Sequence, residues 1–456
     1  AVKLSRDAEL YLDDEFSGDL LEKIKASLPQ RETGNPMRFL YPKSIPDEVL
    51  HRIVEALELS KNDLIPGGRY HNFKDFFGFP EIADTSLYFK VQPPLDHAEF
   101  KRKNLYEQVL RKDVLLQFPY QKFDYLPQLL AEIIASQQCK SIRISLYRVA
   151  KDSAIAKLLL DAVRQGIRVF VFIETKARFD EANNLFWGEA LEKAGATVRY
   201  SYPGIKVHSK ILLIETHTQP IAYISTGNFN HKTAKIYGDF ALFTSNSSLT
   251  KELQMVFEVL EGQLIVPKLK HLLVSPFNTR AHFLQLVDDQ IHKAKQDEKA
   301  SISLKMNSLQ DFEMIEKLYE ASQAGVEIRL LIRGICGLKP GIPGISENIR
   351  VKSIVDRYLE HSRIYCFGQG KEQQIFIGSA DWMTRNLDHR IEVLTPIYQE
   401  NIKHQLLDFF ELQWSDNTKS RIIDAEQKNT YYSTDSQSKK VRAQEDYYDL
   451  LQSKLQ

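Results

Sequence analysis

The sequence contains one pattern twice, and this internal repeat constrains the fold more than any other feature. The first copy begins at His208 and the second at His361, and each continues with two apolar runs joined by a turn. A turn rich in small residues ends the copies at Asn228 and Asp381, twenty positions after each histidine. A repeat in register over this length predicts two similar domains. We therefore expect the two histidines to meet in one shared active site.

The repeat also extends upstream of the histidines. Segments 141–147 and 301–307 match, and each is followed by a stretch of helical periodicity that ends at Gly166 or Gly325, where a helix C-cap belongs. The next strand in each copy is almost entirely apolar, as expected for a strand covered on both faces. Strand, helix, strand and a histidine-bearing hairpin together predict the α/β fold class, with two tandem α/β domains packed face to face.

Chain length predicts about three domains, because 456 residues at roughly 150 per domain leave room for one more. Segments 20–28 and 47–59 have helical periodicity and many charges, so the region before the repeats is predicted to be helical. We expect only part of that domain, since the chain starts at Ala1 without an obvious cap. The polar segment from Thr418 onward is predicted to be a solvated tail. The predicted domains are 1–95, helical; 96–270, the first α/β domain; and 271–456, the second.

Composition excludes several classes of protein. Sixty basic and sixty acidic residues cancel, so the chain is not a generally cationic nucleic-acid coat, and any polyanion site must be local. The three cysteines, Cys139, Cys336 and Cys366, are too few and too scattered for a disulfide framework or a zinc site, which favours a reducing cytoplasm. No apolar run approaches the length of a transmembrane helix, and no signal peptide is recognisable.

A histidine two positions before a cation is suited to phosphate chemistry. Side chains alternate along a strand, so His208 shares a face with Lys210, and His361 with Arg363. An imidazole can attack phosphorus and form a phosphohistidine, while the cation holds the phosphoryl oxygens. Two further side chains are expected to orient these rings by accepting a proton from the other ring nitrogen: Asn228 and Asp381.

Seven long segments identify a family. They are PGGRYHNFKDF at 66–76, LYRVAKDS at 146–153, ETKARFDEANN at 174–184, GIKVHSK at 204–210, STGNFNHKTAKIYGD at 225–239, IRGICGLKPGIPGISENIRVKSIVDRYLEHSRI at 332–364 and IGSADWMTRNLDHRIEV at 377–393. The paired motifs resemble the phospholipase D superfamily, and the segments narrow the resemblance to the polyphosphate kinases, long-chain ATP-polyphosphate phosphotransferases. The resemblance covers nearly the whole chain. It implies the C-terminal two-thirds of such an enzyme, with two phospholipase D-like catalytic domains.

The resemblance implies a two-step, reversible phosphoryl transfer. The family's phosphorylated histidine matches His208, and its second motif histidine, close to the nucleotide and the transferred phosphate, matches His361. Lys210 and Arg363 are expected to bind phosphate. The implied substrates are ATP, ADP and inorganic polyphosphate, and the implied cofactor is Mg²⁺.

Four further positions match functional residues of the family. Arg148 and Arg178 match residues that hold the metal-bound phosphates, and Tyr237 and Arg333 match residues that contact the nucleotide. An arginine cannot coordinate Mg²⁺ directly, so we expect the ion at the first two positions to be bridged through phosphate or water.

The remaining expectations concern partners and alternatives. We expect no nucleic acid and no transmembrane segment, and leave open a homo-oligomer and a peripheral membrane position. One alternative is a phospholipase D-like phosphodiesterase. Such enzymes typically carry an Asp five positions after each motif Lys, where this chain has Glu215 after Lys210 and Gly368 after Arg363. The other alternative is a polyanion-binding protein without activity, which the paired histidines and cations disfavour.

Overall fold

A computed structural model describes residues 2–6, 36–71, 76, 78–100, 104–175, 181–201, 206–433 and 439–455. These form two compact units, 1–90 and 91–456. The described part of the first unit contains a three-stranded sheet and one α-helix. Its elements are β1 (Lys3–Arg6), β2 (Pro36–Pro42), α1 (Asp47–Ala56) and β3 (Leu64–Gly67).

The prediction of a helical first domain is wrong for this described part, which is mixed. The helix expected at 47–59 is present as α1. The strand β2 was missed because its run of aromatic and aliphatic residues is short, although Phe39 in that run is buried. The helix predicted at 20–28 lies outside the described residues.

The second unit contains both repeats, each built around a mixed sheet. In the first repeat the strand order is β16-β11-β10-β9-β5-β6-β7, where β16 (Leu359–Glu360) comes from the second repeat, and β4 pairs with β11. Its elements are α2 (Leu105–Arg111), β4 (Val114–Phe118), α3 (Tyr125–Ala135), β5 (Cys139–Leu146), α4 (Ala154–Arg164), β6 (Arg168–Ile173), α5 (Glu181–Ala194), β7 (Thr197–Tyr200), β8 (Lys206–Val207), β9 (Lys210–Thr216), β10 (Ile221–Ser225), β11 (Tyr237–Thr244) and α6 (Ser247–Leu260).

The second repeat has the same plan. Its strand order is β12-β19-β18-β17-β13-β14-β15-β20, and β8 pairs with β19. Its elements are β12 (Leu273–Ser275), α7 (Thr279–Lys295), β13 (Ser301–Met306), α8 (Phe312–Gln323), β14 (Glu327–Ile332), β15 (Ile349–Ile354), β16 (Leu359–Glu360), β17 (Ile364–Phe367), β18 (Gln374–Gly378), α9 (Thr384–Asp388), β19 (Arg390–Pro396), α10 (Glu400–Ser415), β20 (Ser420–Ile423) and α11 (Ala443–Ser453).

The predicted repeat units are confirmed in detail. In each repeat a parallel pair of strands, β5 with β6 and β13 with β14, is joined through a helix. Ser153 caps α4 and Asp311 caps α8 by accepting a backbone N–H. Gly166 and Gly325 follow these helices with φ of +81° and +94°, a conformation that glycine adopts without strain.

The two repeats exchange short strands at their junction. β16 of the second repeat pairs in parallel with β11 of the first, and β8 of the first pairs in parallel with β19 of the second. Each exchanged strand ends directly before a motif histidine, so the exchange carries each histidine to the sheet of the other repeat.

The C-terminal segment corrects a further prediction. The expected solvated tail from Thr418 is wrong, because β20 pairs with β15 and α11 packs into an apolar cluster shared by the two repeats. Ala443, Tyr447 and Leu451 are buried at intervals of four residues and form one apolar face of α11, which the surrounding polar residues obscured. No helix in the described part of the chain is long and apolar enough to cross a membrane.

Candidate active site

His208 lies between β8 and β9, at the junction of the repeats. Its backbone N–H donates to the carbonyl of Ile391 at 3.0 Å. Its Nδ1 lies 2.9 and 3.0 Å from the two carboxylate oxygens of Glu392, which is fully buried and also accepts from Asn386 at 2.5 Å. Burial raises the pKa of Glu392, and the charges of Lys210 and Arg390 oppose this shift. In its ionised form the carboxylate only accepts hydrogen bonds, so it holds the proton on Nδ1 and leaves the lone pair on Nε2.

His361 has an equivalent environment, in which a residue of the second repeat contacts residues of the first. Its backbone N–H donates to the carbonyl of Gly238 at 3.1 Å. Its Nδ1 lies 2.8 and 3.0 Å from the carboxylate oxygens of Asp239, whose Oδ1 also accepts from Thr226 at 2.5 Å. Each motif histidine is therefore oriented by a buried carboxylate that belongs to the other repeat.

The predicted orienting residues were wrong. Asp381 instead pairs with Arg363 at 3.2 Å and accepts the backbone N–H of Asn307 at 2.8 Å. The Oδ1 of Asn228 is buried and makes no hydrogen bond within the described part of the chain. The physical reason is the strand exchange, which brings carboxylates of the other repeat within hydrogen-bonding distance of the rings.

The two motif cations lie beside the histidines. Lys210 is 1% exposed and its Nζ donates to the carbonyl of His208. Nη1 of Arg363 donates to the carbonyl of His361 at 2.8 Å and lies 3.4 Å from both nitrogens of its ring. The structure thus brings both side chains that were predicted to bind phosphate into the site. Burial lowers the pKa of Lys210 well below its usual value, and Glu392 opposes this shift.

Three basic side chains lie near the aromatic ring of Tyr147, next to His208. The Nζ atoms of Lys210 and Lys206 lie 5.2 and 5.4 Å from its ring centroid, and the guanidinium carbon of Arg148 lies 5.7 Å away. The tyrosine ring meets the ring of His208 edge-on, with 4.9 Å between centroids. Cations over an aromatic ring are held by its quadrupole, so this ring concentrates charge where a phosphate would sit.

Burial and charge together keep His208 neutral. Burial lowers the pKa of His208 well below its usual value, and the positive charges of Lys210, Arg390 and Arg363 lower it further. A neutral imidazole with its lone pair on Nε2 is the form that can attack phosphorus.

Each histidine also responds to the cation of the other motif. Burial lowers the pKa of His361, and the charges of Arg363 and Lys210 reinforce this shift, while Asp239 opposes it. Arg363 in turn contributes to the lowered pKa of His208. Nη1 of Arg363 also donates to the carbonyl of Thr226 in the first repeat at 3.3 Å. This contact, together with the mutual influence, supports one site shared by the two repeats.

The predicted nucleotide-binding residues lie on the His361 side. The ring of Tyr237 is 5.3 Å from that of His361, centroid to centroid. Arg333 donates through Nε to the carbonyl of Glu360 at 2.9 Å and through Nη2 to Asn307 at 2.8 Å. Arg148 lies on the His208 side, whereas Arg178 lies outside the described residues, so its role stays a prediction.

Sequence reasoning missed Asp239, Glu392 and Arg390, although the repeat contained the signal. Each carboxylate follows its own repeat's motif histidine by 31 positions. Two positions before this carboxylate, the first repeat has Tyr237 and the second has Arg390. Because Tyr237 matches a residue that contacts the nucleotide, comparison of the repeats could have identified Arg390 as a candidate site residue.

The described residues do not form a protein metal site. They contain no group of three or more His, Cys, Asp or Glu side chains that could hold an ion. The acidic side chains Asp239, Asp381 and Glu392 are all engaged by histidine or arginine.

Three family models cover most of the chain. They describe the polyphosphate kinase middle domain, matching residues 1–92, C-terminal domain 1, matching 104–265, and C-terminal domain 2, matching 272–444.

Individual relatives agree with these models. A polyphosphate kinase of Vibrio parahaemolyticus is 43% identical over 99% of this chain, and the chain spans 66% of its length. One of Escherichia coli is 41% identical, and the chain spans 67% of it. The crystal structure of polyphosphate kinase from Porphyromonas gingivalis matches the whole chain with a TM-score of 0.86 and 39% identity, over 67% of that protein. The chain belongs to the polyphosphate kinase family.

Proposed function

We propose that this chain catalyses reversible transfer of the γ-phosphoryl group of ATP to inorganic polyphosphate through a phosphohistidine at His208. The observation that carries the proposal is the environment of the His208 imidazole. The ring is buried, its Nδ1 is hydrogen-bonded to Glu392, and positively charged side chains surround it. Phosphoryl transfer requires mainly alignment and charge neutralisation, and this environment supplies both.

In the first step, the lone pair on Nε2 of His208 attacks the γ-phosphorus of ATP. The bond between the γ-phosphorus and the bridging oxygen breaks, and ADP leaves with the bond's electrons. The Nδ1 proton stays with the ring, where Glu392 stabilises the positive charge that develops. In the second step, a terminal oxygen of polyphosphate attacks the phosphohistidine, and the nitrogen lone pair is restored.

His361 has a different task in this proposal. Its ring is hydrogen-bonded to Asp239 and lies beside Arg363 and Tyr237. His361 can therefore stabilise the phosphoryl group during transfer or protonate the leaving oxygen. Arg333 and Tyr237 would contact the nucleotide from the same side.

Magnesium fits this site as part of the substrate. The ion would enter with the phosphates of ATP and neutralise their charge, while the chain's arginines and lysines bind the remaining oxygens. Arg148 is suitably placed for the latter role. The cytoplasm, where ATP is available, is the proposed compartment.

The phosphodiesterase alternative receives no support from the first motif. Glu215, at the position of that motif's Asp, is engaged by Arg143 at 2.7 Å and Ser141 at 2.5 Å on β5, and Gly368 has no side chain. Neither motif therefore completes the phosphodiesterase pattern.

The test is transfer of label from ATP. With γ-labelled ATP and Mg²⁺ we expect acid-labile, base-stable label on the protein, chased into polymer by added polyphosphate and back into ATP by ADP. Label in the His208→Ala variant would overturn the nucleophile assignment. Cleavage of a phosphodiester without ATP, and without labelling of the protein, would favour the phosphodiesterase instead.

A further inference from the structure

The residue before the second motif histidine breaks the symmetry of the repeats. Val207 occupies this position in the first repeat, and Glu360 occupies it in the second. Oε2 of Glu360 accepts from Nζ of Lys305 at 2.7 Å, and both side chains are 4% exposed. The residue of the first repeat that matches Lys305 is Ser145. A buried ion pair therefore lies directly behind His361 and has no counterpart in the first repeat.

Gln444, on the C-terminal helix α11, completes the hydrogen bonding of this pair. Its Nε2 donates to Oε1 of Glu360 at 2.7 Å and to the carbonyl of Tyr358 at 2.9 Å. Its Oε1 accepts the backbone N–H of Tyr358 at 2.9 Å. Gln444 is 1% exposed, so water has little access to replace these bonds. The amide thus holds both the side chain and the backbone of the segment that ends at His361.

The helix that carries Gln444 is attached to both repeats. Tyr447 donates to Gln117 on β4 of the first repeat. Arg442, just before the helix, forms two hydrogen bonds of 2.7 and 2.8 Å with Asp356 of the second repeat. The helix is therefore anchored across the junction at which the active site forms.

We propose that Gln444 is a positioning residue for His361, an inference that rests on the proposed function. Without its amide, one oxygen of the buried Glu360 carboxylate would lose its partner, which is costly in a dry environment. Glu360 and the strand β16 would shift to restore the hydrogen bond. His361, the next residue, would move relative to Asp239, and the transfer step would slow.

The matched substitutions are Gln444→Met and Gln413→Met. Gln413, on α10, is a buried glutamine of 2% exposure whose amide makes no hydrogen bond within the described residues. We expect Gln444→Met to lower kcat roughly tenfold, because a small displacement of a group near the reacting atoms costs rate on about this scale. The control should stay within about twofold of the parent. An equal loss in both variants, or none in Gln444→Met, would overturn the proposal.

A double substitution separates positioning from general destabilisation. If Gln444 acts through His361, adding Gln444→Met to His361→Gln should change kcat by less than about twofold. A full tenfold loss in that background would show that Gln444 acts elsewhere and would overturn the proposal.

A measurement independent of activity keeps this inference distinct from the proposed function. In protein labelled with ¹³C at histidine Cε1, the His361 and His208 resonances are assigned by their loss in His361→Gln and His208→Gln. Gln444→Met should shift the His361 resonance and its pH titration and leave that of His208 in place. An unmoved His361 resonance would overturn the inference even if transfer occurs, whereas absent transfer with a moved resonance would reject only the proposed function.

Discussion

At the scale of single residues, side chains from both repeats surround His208. Lys210 comes from its own strand, whereas Glu392, Arg390 and Arg363 come from the second repeat. Motif reasoning found the histidines and their neighbouring cations because spacing along one strand fixes their common face. It assigned the wrong orienting residues because a partner supplied by another strand leaves no mark in local spacing.

The carboxylate of Glu392 is expected to be essential for forming the phosphohistidine. A glutamine amide offers one accepting oxygen, and its NH₂ group would face either His208 or Asn386, both of which donate to the carboxylate. Loss of the fixed tautomer should slow labelling of His208 by about 100-fold or more in Glu392→Gln. Rapid-quench labelling with γ-labelled ATP measures this rate.

The equivalent change in the other repeat provides the comparison. Asp239→Asn alters the partner of His361 and should reduce turnover more than it reduces the first labelling of His208. Equal effects of the two substitutions on labelling would contradict different tasks for the two histidines.

The lowered pKa of His208 predicts an unusual pH profile. Burial, followed by Lys210 and Arg390, keeps the ring neutral, so the labelling rate should not fall as pH decreases through about 6.5, the ordinary histidine value. Single-turnover labelling from pH 8 to 5 measures this, and a midpoint at or above 6.5 would contradict it. Unlike the labelling rate, the free energy of unfolding should decrease as pH falls. A depressed histidine pKa contributes stability above the unfolded value that is lost as pH falls below it, so the urea midpoint should decrease below about pH 6.5.

At the scale of elements, apolar periodicity was sufficient where a strand or helix has one dominant pattern. It predicted β6, β14, α4 and α8 together with their glycine caps. It failed for α11, whose narrow apolar face lies within a polar segment. The exchanged strands β8 and β16 contain only two residues each, too few for any period to be visible.

The turn after β10 shows how an element constrains the site. A Cβ on Gly227 would lie 2.5 Å from Cγ of Asp239, the carboxylate that orients His361. Gly227→Ala should therefore displace Asp239, reduce turnover as Asp239→Asn does, and destabilise the fold by about 1–3 kcal/mol through overpacking.

The control for this substitution is Gly78→Ala, where a Cβ would meet nothing within 4 Å. Turnover and urea unfolding of both variants test the prediction. A Gly227→Ala protein with the turnover and stability of the control would show that Asp239 has room to move.

At the scale of the whole molecule, the duplicated domain yields an unequal pair of histidines. The strand exchange is symmetric, but the residues around each ring are not. Tyr147 and Arg390 flank His208, whereas the matching positions near His361 hold Asn307 and Tyr237. The sequence repeat predicts one shared site, and under the proposed function the different surroundings of the two rings fit a nucleophile and a second histidine that assists it.

The most direct test of this account locates the phosphate during turnover. Rapid quenching after addition of ATP and Mg²⁺, followed by peptide mapping under basic conditions, should find phosphate on the peptide containing His208 and none on that containing His361. The His361→Gln variant should still label His208, more slowly, and His208→Gln should carry no label. Phosphate on His361, or label in His208→Gln, would contradict the division of tasks between the two histidines.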